Sequence, residues 1–252
     1  MDFRDRRHLF VQDLGIRTVN GLTKLSLHST VRRMTNDRLS GWALILGSIG
    51  MIITTSLHPS GKIAIGQVEP MIRRLIAVHG LALACVPVLF LGARGLAGRV
   101  ASRDRLAAAG IVTYAFALMA VTNAAVADGL VTPSVLRQIV ASAGSQSAID
   151  GWQMMARYNF YVNQAYAEVF VAASSVAILL WSAAIWRSRQ LARALGIYGC
   201  VLGAVTLLAL FSGHLNLDAH GFGIIIFGQA AWFIAAGALL LRREDQLVAA
   251  KV

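Results

Sequence analysis

The sequence predicts an all-α integral membrane protein, a bundle of six transmembrane helices with both termini cytoplasmic. Three observations carry this. Only 14% of the 252 residues are charged and 57% are hydrophobic, and the mean hydropathy of +0.63 is too high for a water-soluble domain of this size. Six stretches free of Lys and Arg are long enough, at about 20 residues, to cross the hydrocarbon layer. The basic residues then segregate. The N-terminal arm, the second and fourth connections and the C-terminal tail hold 18 of them, against five on the other side, and cytoplasmic flanks collect Lys and Arg. The same asymmetry accounts for most of the +11 net charge, so the basic balance reports topology and affinity for anionic lipid, not nucleic acid. A bacterial inner membrane is the expected location.

Residues 1–38 form a basic arm in which Arg4, Arg6, Arg7, Arg17, Lys24, Arg32, Arg33 and Arg38 alternate with apolar residues at partial helical spacing. The arm reads as lying on anionic lipid or as holding a membrane-protein partner. The transmembrane domain follows over 39–241. Span one (40–57) ends at His58, before the turn sequence Pro59-Ser60-Gly61. Span two (75–93) carries His79 about 6 Å from its outer end at 1.5 Å per residue, and Pro87, which removes a ladder hydrogen bond and predicts a kink. Span three (106–127) ends with Asn123 and Asp128 at the same level.

The outer connection 128–157 is long, and long connections without structure of their own are uncommon unless functional. Its Trp152, Met155, Tyr158 and Tyr161 recur at helical spacing, which fits an interfacial helix or a lid. Span four (158–186) places Tyr161, Gln164 and Glu168 on one stripe, with Asn159, Asn163 and Tyr166 beside it. Glu168 is the one acid within any span, and an ionisable group at that depth requires a partner or water. Span five (194–213) contains Gly199-xxx-Gly203, and three glycines open span six (219–241), which predicts close approach of these two helices. The hairpin between them holds His214, Asp218 and His220. Residues 242–252 form a cytoplasmic tail. Cys85 and Cys200 lie inside spans, outside any disulfide framework or CxxC pair, and no internal repeat is visible.

Four of the six histidines, His58, His79, His214 and His220, thus belong to one end of the bundle on four different spans. Imidazoles suit zinc, copper and iron, and two or three of them with one carboxylate leave a coordination position open for water or substrate. This predicts a metal site formed by His58, His79, His214 and His220, holding zinc or copper, with Glu168 or Asp218 as the proton acceptor of a membrane-embedded enzyme. Tyr161, Asn163, Gln164, Asn123 and Asp128 would line the surrounding polar cavity, floored near Glu168. A haem b, with His79 and His214 or His220 as axial ligands, is the second expectation.

Structural roles compete with these. Asp218 is a good N-cap for span six, His214 complements a helix C-terminus, and His79 and Glu168 could bond each other. HExxH, GxSxG, P-loop and post-strand GxGxxG motifs are absent, which removes the corresponding enzyme classes. Two other functions fit the same residues. One is a non-catalytic subunit or a solute or proton transporter using Glu168 and the stripe of span four. The other is a scaffold acting through the basic arm.

Overall fold

A computed structural model of the protein describes residues 37–59, 68–100, 105–189 and 191–249. Residues 1–36, the bulk of the basic arm with its lipid and partner expectations, lie outside the described residues, as do 60–67 and the last residues of the tail. Every described element is helical, and six helices are long and apolar enough to cross a membrane: Asp37–Leu57, Val68–Val100, Arg105–Ala141, Gln146–Ser188, Arg193–Phe211 and His220–Arg242. All six apolar stretches read from the sequence fall on these helices. In chain order the elements are α1 (Asp37–Leu57), α2 (Val68–Val100), α3 (Arg105–Val126), a π-helical turn (Ala127–Val131), α4 (Thr132–Ala141), α5 (Gln146–Ser188), α6 (Arg193–Phe211) and α7 (Ala219–Ala249).

The stretch 128–157 is not a loop. The π turn joins α3 to α4 without a break, and only residues 142–145 interrupt the helix before α5 begins. Ser145 caps α5, its Oγ accepting from the Ala148 amide at 3.4 Å. Trp152, Met155 and Tyr158, expected on a separate interfacial helix, are the first turns of α5 and continuous with the span below them. At its far end α5 stops where Arg189 adopts φ 53, the left-handed conformation that ends a helix. Pro87 lies inside α2, which continues past it to Val100.

Aromatic residues hold the centre together. Trp181 of α5 stacks on Trp232 of α7 with ring centroids 6.1 Å apart, and Tyr114 of α3 and Phe233 pack against Trp181 at 5.4 and 6.1 Å. Both indoles are fully buried, and each N–H finds a backbone carbonyl: Trp181 Nε1 donates to Ala107 O at 3.2 Å, Trp232 Nε1 to Leu195 O at 3.1 Å. A buried indole N–H without an acceptor would be costly, so these two bonds fix the rotation of α5 against α3 and of α7 against α6. Gly199 makes the expected close approach to span six, while Gly203 closes on α5. Space for a Cβ is closed at Gly199 by Ser182 and Trp232 and at Gly203 by Leu179 and the Ser175 carbonyl, so α6 packs chiefly on α5 and only secondarily on α7. At the end of the bundle opposite His58, Arg99 pairs with Asp37 at 3.4 Å and closes α2 on α1.

The α6–α7 connection is closed by its own backbone and by Asp218, whose Oδ1 accepts from the Gly221 and His220 amides at 2.8 and 3.0 Å. These bonds, the Gly221 amide foremost, hold its carboxyl below the usual carboxylate range. A depressed carboxyl contributes stability that is present above its unfolded-state pKa and lost as pH falls through the folded one. Asp218→Ala is therefore expected to lower the melting temperature of the detergent-purified protein at neutral pH. The gap from wild type should narrow as the buffer is acidified through the carboxylate range; a gap independent of pH would contradict the capping role.

Candidate metal centre

Three side chains converge where α1 ends, α2 begins and α3 enters its π turn. His58 Nε2 lies 3.0 Å from Asp128 Oδ2, and His79 Nε2 lies 3.3 Å from the same oxygen. The imidazole rings meet edge to face, centroids 5.2 Å apart and planes at 80°. His58, His79 and Asp128 lie close enough to hold a metal ion, with one ligand atom from each within 4.8 Å of the others. Metal–ligand bonds of 2.0–2.1 Å in a tetrahedral zinc site place neighbouring ligand atoms about 3.3 Å apart, which both His–Asp distances approach.

Each ligand is oriented by a different device. His79, on α2, donates Nδ1–H to the carbonyl of Leu75 at 2.8 Å, one turn back on its own helix. That bond settles which nitrogen is left: in a neutral ring, Nε2 carries a lone pair and points at the carboxylate. His58 follows the last residue of α1, and Arg74, near the start of α2, donates Nε–H to the Leu57 carbonyl at 2.9 Å, tying the two helix ends together beside it. Exposure is graded across the cluster. The His58 side chain is 33% exposed and that of His79 10%, so the site opens on the His58 side.

Asp128 is positioned by the π turn. There the Thr132 amide reaches the Ala127 carbonyl five residues back, and the Thr132 hydroxyl reaches the same carbonyl at 3.3 Å and Asp128 Oδ1 at 3.2 Å. Asn159 of α5 supplies the outer support: its Nδ2 donates to Ala127 O at 2.8 Å and to Thr132 Oγ1 at 2.9 Å. One carboxylate oxygen is thereby held by Thr132 while the other faces both imidazoles. Gly129 makes the approach possible, since a Cβ at this position would run into the His79 side chain.

The other residues singled out by sequence are placed elsewhere. His214 is exposed and its Nδ1 faces Ser212 Oγ at 2.9 Å, and His220 is exposed on the first turn of α7; neither joins the three-residue group. The expected axial pairing of His79 with His214 or His220 is therefore not formed, and His79 Nε2 instead faces a carboxylate. Glu168 is exposed on α5, and Tyr161, on the same stripe, is 64% exposed, whereas Asn159 of the neighbouring stripe turns inward. The polar floor expected near Glu168 is thus replaced by an outward-facing acid. Asn163 and Gln164 are half-buried on α5, and Asn123 is exposed, its amide bonded to the Met119 carbonyl at 2.9 Å. Asp128, expected only as part of a cavity lining, is the centre of the cluster. Sequence spacing marked its level but not its direction, and Thr132, Gly129 and Asn159 carried no signal beyond being small or polar.

Among the described residues, fold and cluster together define an all-helical protein with six helices long and apolar enough to cross a membrane and a two-histidine, one-carboxylate group at one end of the bundle. Comparisons with protein-family models, with curated proteins and with solved structures find no match to this chain.

The support of Asp128 can be tested directly. Thr132→Val leaves Asp128 Oδ1 without its hydroxyl and should destabilise the protein by about 1–2 kcal/mol, the cost of an orphaned partly buried polar group, read by denaturant unfolding in detergent. Gly129→Ala should cost about 1–3 kcal/mol by overpacking against His79. An unchanged midpoint for both would refute the described packing.

Proposed function

We propose that the protein is a membrane-embedded metalloprotein that holds one transition-metal ion, zinc or copper, between His58, His79 and Asp128. The ion keeps an open coordination position on the His58 side. The observation that carries this reading is that His79 Nε2, on a ring whose Nδ1–H is given to Leu75, and a carboxylate oxygen of Asp128 face each other at 3.3 Å, with a second Nε2 3.0 Å from that same oxygen. Electron-rich atoms in such an arrangement need a positive charge among them, and either a metal ion or an extra proton supplies it. The chemistry of the donors favours the ion: two imidazoles and one carboxylate are a common catalytic set, and Thr132 and Asn159 form the outer support that metal carboxylates carry. Haem is disfavoured, because His79 faces Asp128 and, among the described residues, no second histidine stands opposite it.

A bound ion with an open position lowers the pKa of its water toward neutrality, and this is the chemistry of a metal-dependent hydrolase. The site belongs to the outer side of the membrane by the charge asymmetry of the connections, so the substrate is lipid-borne or extracytoplasmic. Glu168 and Asp218 are not needed by this reading: the first faces away from the bundle and the second caps α7.

Metal analysis of the detergent-purified protein is expected to give close to one zinc or copper per chain. Both His79→Ala and Asp128→Asn should abolish the stoichiometric ion while leaving the helical circular dichroism intact. The ion must displace protons from imidazole, so its affinity should fall as the pH is lowered through the histidine range. Protein free of metal after dialysis against zinc and copper, with unaltered fold, would show that a proton occupies the cluster instead. A Soret band would restore the haem alternative.

A further inference from the structure

Beneath the cluster the bundle contains a half-open cavity of about 30 Å³ lined by residues of α1, α2, α3, α5 and α7. Most of its wall is apolar, but three polar side chains face it: Ser48, Tyr114 and Gln229, which are 1%, 2% and 4% exposed. Their hydrogen bonding is incomplete at Ser48, whose Oγ is buried with no partner. Gln229 spends its amide nitrogen on Ser174 Oγ at 2.9 Å and Ser175 Oγ at 3.2 Å. Half-buried hydroxyls elsewhere in the helices, such as Thr55 and Thr122, bond the carbonyl four residues back. Ser48 does not.

The cavity has a fixed relation to the metal cluster. Met51, Val86 and Val121 line it from α1, α2 and α3, and each is seven residues from His58, His79 and Asp128 respectively. Seven residues are two helical turns, so each pair shares a helix face about 10 Å apart along the axis. Three helices repeat this offset in the same sense, which stacks the cavity directly under the cluster. Between the two levels stands Thr54, buried, its hydroxyl also without a partner.

We propose that this cavity is an internal water site, holding about two ordered waters among Ser48, Tyr114 and Gln229, one heptad beneath the His58–His79–Asp128 cluster. A cavity of this volume admits about two water-sized molecules and is too small for an aromatic ring, and a polar wall with unsatisfied groups keeps water that an apolar wall would not. Water at such a depth is tolerated where polar side chains of the protein hold it. Thr54, on the same face as Met51 and His58, makes the cavity the inner source of water and exchangeable protons for the cluster. The inference stands on the cavity alone and does not depend on a bound ion.

Hydroxyl-radical footprinting of the full chain in nanodiscs tests it, since radicals generated from bound water label the side chains beside that water. Met51 and Tyr114 should be oxidised well above Trp181, which is fully buried but does not line the cavity. Ser48→Leu, which fills the space, should reduce labelling at both to the Trp181 level while leaving exposed Met154 unchanged. Ser48→Ala with Tyr114→Phe removes two of the hydrogen-bonding groups without adding volume, and should also lower the Met51 signal. Labelling of Met51 and Tyr114 no higher than Trp181 in the wild type would overturn the proposal. Metal content measured on the same samples keeps a failure here separate from a failure of the metal reading.

Discussion

The carboxylate of Asp128 is the group around which one end of this bundle is organised. A carboxylate within an apolar helix is tolerated only if donors or cations surround it. Here both oxygens have polar neighbours: Thr132 donates to Oδ1, while the Nε2 atoms of His58 and His79 face Oδ2. Meeting that requirement draws in four elements. The end of α1 and the first turns of α2 bring the imidazoles, the π turn after α3 turns the carboxylate toward them, and α5 extends well beyond the level of the cluster to bring Asn159 underneath. A regular α-helix from Ala127 onward would not place the Thr132 amide and hydroxyl and the Asn159 amide on one carbonyl. π turns inside helices recur at functional sites.

The same rule of internal satisfaction sorts the remaining polar residues. The two central indoles reach backbone carbonyls across helix boundaries, and Gln229 reaches two serines of α5, so each polar atom that faces inward also specifies a helix rotation. Hydrophobic contact between helices is a weak guide inside lipid, because the surroundings are equally apolar. Directional bonds and small-residue contacts have to supply the specificity. His214, His220, Asp218 and Glu168 lie outside this network. All are exposed, and the local bonds of His214 and Asp218 are made within the α6–α7 connection itself.

What could be read from the sequence follows from this division. The six helices were legible because an apolar run of membrane length is a local property, and Asp218 was legible as a cap because capping is local too. The level of His58, His79 and Asp128 was legible from helix direction and residue count. Their convergence was not. It depends on which way each side chain points, and for Asp128 that direction is set by the π turn, an irregularity that no spacing of Ala127 to Val131 announces. The helical course of 128–157 was hidden by its composition: Gly, Ser and Gln around residues 142–146 resemble an extended loop, whereas only a short turn separates α4 from α5. For Glu168 the sequence predicts an inward-facing stripe, because an acid in an apolar stretch demands a partner, whereas its side chain is exposed. Asn159, one position over on the helix, carries the inward face.

Placing the cluster near the helix ends has a chemical consequence. A cationic centre at mid-bilayer would need a deep aqueous path to exchange its ligand, while one reached from the side of His58, the most exposed of the three, exchanges directly with the surface. His79, held by Leu75 and nearly buried, and Asp128, held by Thr132, form the rigid part; His58 follows the last turn of α1 and has only a weak backbone bond, 3.4 Å from its amide to the Thr55 carbonyl. Two fixed ligands and one at a helix end are an arrangement in which a positive charge can be captured and released without moving a helix. That property would serve a metal ion or a proton equally.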